Sequence, residues 1–177
     1  MGSRNSVSTH SSGARITADV SSSRRARTLD GSRCCSLAVN LPLVERKITL
    51  ILDDLQRVAE LAAIGVDAYV ADLRNEVLAE RYLERIIGRV IDINFHLVTE
   101  VLGTTPKDYA DSFLQLVPAG VLDREAASGF VRLAGLRTRI THEYTGIDER
   151  RIHQSLGRVA AELPAYLKSV KAFLARA

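Results

Sequence analysis

The sequence predicts an all-α fold, and its composition and its hydrophobic periodicity both support this prediction. Leu, Ala, Val, Ile, Arg and Glu dominate, while aromatic residues make up 5% of the chain and Trp is absent. Such a composition favours packed helices over sheets. From residue 43 onward, apolar residues recur every three or four positions, which is the spacing of one face of a helix. At 177 residues, the chain has room for one domain.

Residues 1–40 form a polar segment without helical or strand periodicity. They include ten Ser, six Arg and two Asp, so the segment has a net charge of +4, whereas the whole chain has +3. Because it cannot bury enough apolar surface to offset its ordering entropy, we expect it to be disordered. Two alternatives stay open: translation starts near residue 40, or the Arg- and Ser-rich segment is a targeting peptide. The domain, residues 41–177, therefore has a net charge of −1, and any nucleic-acid contact requires a local basic patch.

The two cysteines, Cys34 and Cys35, are adjacent and lie in the polar segment. Neighbouring cysteines rarely bridge each other, and residues 41–177 contain none. This usage is typical of a cytoplasmic protein and excludes a disulfide framework or a thiolate metal site. No run of about 18 apolar residues is present, so we expect no membrane span. The polar segment also lacks the apolar centre of a secretory signal.

Apolar periodicity predicts five helices, over residues 43–64, 72–102, 107–117, 126–140 and 148–177. Gly65 is expected to end the first helix, because Gly adopts the left-handed conformation that closes many helices. Asp67 or Asp72 would cap the second helix, as Asp123 and Asp148 would cap the last two. Pro164 lies inside the last periodic segment, so we expect a kink or the start of a new segment there.

The second predicted helix has the broadest apolar face, which we expect to be buried. This face comprises Leu73, Val77, Leu83, Ile86, Ile87, Val90, Ile91, Leu97, Val98 and Val101. On the same helix, Asp92 and His96 are four positions apart and therefore share a face. They are either half of a metal site without evident companion ligands or a hydrogen-bonded pair on the helix surface.

Residues 135–144 concentrate two Arg, one His and one Tyr at a predicted helix end. Arg137 and Tyr144 are seven positions apart and share a face, whereas Arg137 and His142 are separated by about 140° around the axis. One straight helix therefore cannot direct all three side chains at one atom. Either the helix ends near His142, or a second copy of the chain completes a site. A solvated helix end is the alternative, because the helix dipole favours cations there.

The pattern Arg137-x4-His142-x-Tyr144 resembles the R-x4-H-x-Y signature of HepT-like proteins of the HEPN superfamily. Residues 89–97 resemble that family's long second helix, and the similarity extends over about residues 43–174. The family pattern usually has Asn where this chain has Thr138. The resemblance implies a HEPN-like helical bundle.

The resemblance also implies an activity, that of a metal-independent endoribonuclease toxin without a cofactor, in a type VII toxin–antitoxin pair. Such toxins work as homodimers in which two Arg/His motifs face one cleft. His142 would act as acid or base and Arg137 would stabilise the charge developing on phosphorus. Four further residues would contact RNA or support the cleft: Thr138, Arg139, Asn94 and His96.

A nucleotidyltransferase antitoxin is the partner that the resemblance implies, and it would neutralise the toxin by adenylylating Tyr144. The added phosphates would place negative charge against Arg137 and Arg139 and block RNA entry. The alternative is a catalytically quiet HEPN module that binds a nucleotidyltransferase without cutting RNA.

Overall fold

The computed structural model describes residues 39–142 and 148–176, and of His142 it describes the backbone only. These residues form six α-helices and no strand: α1 (Leu41–Ala62), α2 (Val66–Val70), α3 (Leu73–Leu102), α4 (Tyr109–Leu114), α5 (Arg124–His142) and α6 (Glu149–Leu174). The predicted all-α class is confirmed. The helix that the sequence missed is α2, because a single turn is too short to show a period. No helix in the described part is long and apolar enough to span a membrane.

The central element of the fold is α3, which packs against α1, α4, α5 and α6. On one side α1 and α6 pack against each other, and on the other side α5 packs against α3 and α4. The apolar side chains that α3 buries completely are Ala79, Leu83, Ile86, Ile87, Val90, Ile93, Leu97 and Val98. Each large apolar side chain buried in this way contributes about 1.5–3 kcal/mol.

Aspartate caps fix the start of several helices. The Asp72 carboxylate accepts a hydrogen bond from the Arg74 N–H, and the Asp148 carboxylate accepts one from the Arg150 N–H, so these predicted caps are confirmed. The prediction for Gly65 was wrong. Gly65 has a φ of −58° and precedes α2, while α1 ends at Ala62 and its C-cap Ala63 has a right-handed helical conformation. A left-handed glycine does end α3, where Gly103 has a φ of 67°.

The first turns of α3 are more exposed than the apolar pattern predicted. Leu73 and Val77 are 69% and 65% exposed, and the buried face of the helix begins at Ala79. Periodicity identifies the face of a helix that is apolar, but it does not reveal how far along the axis the neighbouring helices reach. The two residues therefore belong to the correct face but lie outside the core.

The last helix continues through Pro164, so the predicted new segment is not formed. Pro164 is on the exposed side, whereas Leu163, Tyr166 and Leu167 around it are buried. A proline removes one backbone hydrogen bond from a helix interior. Burial of the apolar residues on both sides of the proline offsets this loss.

Polar side chains tie α1 to α3 at two levels. The buried Asp54 carboxylate accepts a hydrogen bond from Arg89 Nη1 and lies 3.2 Å from Arg85 Nε. Near the start of α1, Lys47 Nζ lies 2.6 Å from Asp92 Oδ2. His96 Nε2 accepts a hydrogen bond of 3.0 Å from the Asn40 N–H. Asp92 and His96 therefore bind groups at the start of α1 rather than each other.

Candidate active site

Arg137 lies on α5 and turns towards α3. Its Nη1 donates to Thr141 Oγ1 over 2.6 Å and lies 3.3 Å from Glu84 Oε1. Thr141 Oγ1 also donates to the Arg137 carbonyl oxygen over 2.8 Å. The contacts with Thr141 Oγ1 and Glu84 Oε1 both use Nη1, one nitrogen of a guanidinium that carries five N–H donors. With its side chain 21% exposed, Arg137 is held in place by these contacts, and its other donors make no hydrogen bond within the described residues.

Sequence reasoning missed Glu84 and Thr141, the partners of Arg137. Glu84 is 53 positions away in the chain, so no local pattern links it to the motif. Thr141 is four positions after Arg137, and this i, i+4 spacing was a signal that two polar side chains share a face. The Glu84 carboxylate also pairs with Arg81 Nη1 at 2.9 Å. The Glu84 carboxylate is therefore shared between Arg81 and Arg137.

Thr138 and Arg139 point away from the contact between Arg137 and Glu84. The Thr138 hydroxyl donates to the Ala134 carbonyl oxygen one turn earlier, over 3.2 Å. Arg139 is two positions after Arg137, which places it about 160° around the helix axis. Arg139 is exposed and lines a groove between α5 and α6. The structure therefore places Arg137 and Arg139 on opposite faces of α5.

His142 is the last residue of α5, as expected if the helix ends near the motif histidine. Its side chain and the whole of Tyr144 lie outside the described residues. The other two histidines in the described part each bind a backbone group. His96 accepts from the Asn40 N–H, and His153 Nε2 lies 2.8 Å from the Ile64 carbonyl oxygen.

Asn94 is a core residue, and the structure does not bring it to the motif. It is completely buried, its amide donates to Ser112 Oγ over 3.2 Å, and Tyr166 Oη donates to its Oδ1 over 2.7 Å. Burial raises the pKa of Tyr166, so its hydroxyl remains a donor. Asn94 cannot contact RNA from this position, so the first of its two expected roles, RNA contact or support of the cleft, was wrong.

The position of His96 on α3 likewise separates it from the motif. His96 is twelve residues after Glu84 on the same helix, which is about 18 Å along the axis. It stabilises the start of α1 through its bond to the Asn40 N–H. Both residues expected to support the cleft, Asn94 and His96, thus lie far from the contact between Arg137 and Glu84.

One further buried group lies on α2. The ring of Tyr69 is 4.8 Å from that of His153, and the Tyr69 hydroxyl has no hydrogen-bond partner among the described residues. Burial raises the pKa of this phenol to about 12, with a further contribution from nearby glutamates. No cluster of three or more potential metal-ligating residues was found in the described ranges.

Comparison with known proteins assigns the family. The model of a family described as ribonuclease HepT-like matches residues 51–170, from the first half of α1 to near the end of α6. The chain belongs to this family. The matched segment of this HepT-like chain includes Arg137, His142 and Tyr144.

Two curated relatives of this HepT-like chain are described as nucleases. It is 25% identical over 132 residues to the tRNA nuclease HepT of Aphanizomenon flos-aquae (strain 2012/KM1/D3), covering 75% of this chain and 90% of that protein. It is 29% identical over 85 residues to a putative RNase from Archaeoglobus fulgidus, covering 48% of this chain and 64% of that protein.

Solved structures share the fold. One is a chain from a structure described as a tri-AMPylated Shewanella oneidensis HEPN toxin in complex with MNT antitoxin. It matches with a TM-score of 0.66 and 18% identity, covering 73% of this chain and 97% of that chain. The cytosolic protein YutE from Bacillus subtilis matches with a TM-score of 0.66 and 15% identity, covering 77% and 91%. At these identities the likeness establishes the HEPN helical fold.

Proposed function

We propose that this HepT-like chain is the toxin of a toxin–antitoxin pair, an endoribonuclease that acts as a homodimer. The observation that carries the proposal is the placement of Arg137. It is fixed by Glu84 and Thr141 and lies five residues before the histidine that ends α5. Membership of a ribonuclease family and the relative named tRNA nuclease HepT support the same activity, and make tRNA the first substrate to test.

The chemistry requires two proton transfers and one source of fixed positive charge. A base takes the proton of a ribose 2′-OH, whose oxygen attacks the adjacent phosphorus. An acid then gives a proton to the departing 5′ oxygen, which leaves a 2′,3′-cyclic phosphate and a 5′-hydroxyl. An imidazole titrates near neutral pH and suits either step, so we assign His142 to them. Arg137 stabilises the negative charge on the pentacoordinate phosphorus.

A homodimer would bring Arg137 and His142 to the same phosphate, which one copy of α5 cannot do. Positions 137 and 142 are about 140° apart around α5, so one helix cannot direct both side chains at one phosphate. A second copy would bring its own helix end to the same cleft and supply the missing group. The cleft then contains two copies of each motif residue, which also provides separate groups for the acid and the base.

Substitution of Arg137 tests the proposal. We expect the purified full-length protein to cut tRNA, and Arg137→Gln to lower kcat/KM by about a hundredfold, because one preorganised charge contact is lost. Arg124→Gln is the matched control, since this exposed residue begins the same helix about 20 Å away. Both variants should keep the thermal unfolding midpoint of the parent. A parent that binds a nucleotidyltransferase tightly but cuts no RNA would support the quiet binding module instead.

Regulation through Tyr144 is the second part of the proposal. The solved relative described as a tri-AMPylated toxin bound to MNT antitoxin supports a nucleotidyltransferase as the partner. Transfer of AMP from ATP to the Tyr144 hydroxyl would release pyrophosphate and place phosphate charge beside the motif. We expect modified protein to lose RNA cleavage, while Tyr144→Phe should resist both modification and neutralisation. Equal cleavage by the modified and unmodified proteins, measured by gel assay, would contradict this mechanism.

A further inference from the structure

A groove between α5 and α6 has arginine side chains on both walls. At one end it forms a pocket of about 80 Å³, with Arg132 and Arg139 contributed by α5 and Arg158 by α6. Apolar side chains such as Leu136 and Val159 also line it. Arg132 and Arg139 are seven positions apart and therefore share the face of α5 that turns towards α6.

The charges in this pocket do not cancel. Glu162 on α6 pairs with Arg132, and both also line the neighbouring part of the groove. Arg139 and Arg158 are exposed and face the same pocket. The described residues that line the pocket include three Arg and one Glu and so have a net charge of +2, although residues 41–177 together have a net charge of −1. A polyanion would therefore be attracted here by local charge rather than by the charge of the whole domain.

The position of the pocket relates it to the motif. Arg139 lies three residues before the end of α5 at His142, on the face opposite Arg137. A strand bound in the groove would thus pass beside the helix end that carries the motif histidine. Guanidinium groups on two walls suit phosphate oxygens, because Arg binds them through paired N–H donors.

We propose that the Arg139–Arg158 end of the α5–α6 groove binds the phosphate backbone of the RNA strand that flanks the cleaved bond. This inference rests on the proposed nuclease function and adds a substrate-binding surface to it. Arg158 is the residue that tests this proposal most directly, because it lies on α6, outside the helix that carries the motif. It acts on binding of long RNA and not on the chemical step.

The experiment compares Arg158→Gln with the full-length parent on two substrates, a tRNA and a dinucleotide too short to reach the groove. We expect KM for tRNA to rise about three- to tenfold and the slope of log Kd against log salt to fall by about 0.7 to 1. Dinucleotide cleavage should not change. Arg46→Gln is the control, since it removes the same charge from an exposed position on α1.

Three results would contradict the proposal that the α5–α6 groove binds RNA. The first is an unchanged salt slope for Arg158→Gln. The second is an equal loss of cleavage on tRNA and dinucleotide. The third is loss of the dimer in sedimentation, which would make the groove a contact between copies. If the parent cuts neither substrate, the proposed nuclease fails separately, and the salt slope of tRNA binding still decides whether the groove holds RNA.

Discussion

His142→Ala is expected to lower the rate of RNA cleavage by about a hundredfold to ten-thousandfold, the usual contribution of a general acid or base. Both proton transfers in the proposed mechanism are assigned to the His142 imidazole, the type of side chain that ordinarily changes charge between pH 5 and 8. Alanine can neither accept the proton of the 2′-OH nor supply one to the 5′ oxygen. The change acts on kcat, because neither step contributes to ground-state binding of RNA.

The matched control for this prediction is His96→Gln, which replaces a histidine about 18 Å from Glu84 along α3. Its side-chain amide oxygen can still accept the hydrogen bond from the Asn40 N–H. Cleavage should be followed with a labelled RNA whose 2′,3′-cyclic phosphate product is resolved from the linear phosphate. Cleavage by His142→Ala within threefold of the parent would exclude His142 from the chemistry.

Asp54→Ala is expected to reduce the free energy of unfolding by about 3 kcal/mol. Arg89 is 18% exposed, and it would be left with the Leu50 carbonyl oxygen, 3.2 Å away, as its hydrogen-bond acceptor. Arg85 would lose the same carboxylate. Removing one partner of a buried ion pair leaves a charge that is poorly solvated, and this cost exceeds the value of the pair itself.

Urea unfolding at pH 7 measures the effect, with the m value checked for constancy. Asp53→Ala is the control, because Asp53 is the exposed neighbour of Asp54 on α1 and carries the same charge. Its free energy of unfolding should stay within about 0.5 kcal/mol of the parent. A loss of less than 1 kcal/mol for Asp54→Ala would mean that Arg85 and Arg89 find other partners in the folded protein.

Local sequence patterns predicted most of the helices. The three- and four-residue spacing along α1 and α3 indicated their buried faces, and Asp72 and Asp148 marked helix starts through hydrogen bonds within three residues. The single turn of α2 is too short for such a signal. Continuity of α6 at Pro164 depends on packing around that position rather than on local propensity.

The candidate site was less predictable, because its partners come from separate helices. Asn94 was expected to contact RNA or support the cleft, but it belongs to the same helical stripe as Val90 and Leu97 and is buried with them. Glu84 could not be paired with Arg137 from spacing, since their contact requires α3 and α5 to be packed first. The opposition of Arg137 and Arg139 follows from their spacing, but the groove that Arg139 enters depends on where α6 lies.

Two consecutive residues of α3, Glu84 and Arg85, form ion pairs with two different helices. Glu84 contacts the motif arginine on α5, while Arg85, about 100° further around the axis, contacts the buried carboxylate on α1. A rotation or slide of α3 would therefore disturb both contacts together. With Arg137 in the proposed catalytic role, substitutions that loosen the junction of α1 and α3 are expected to lower RNA cleavage as well as stability, although they lie far from the motif in the chain.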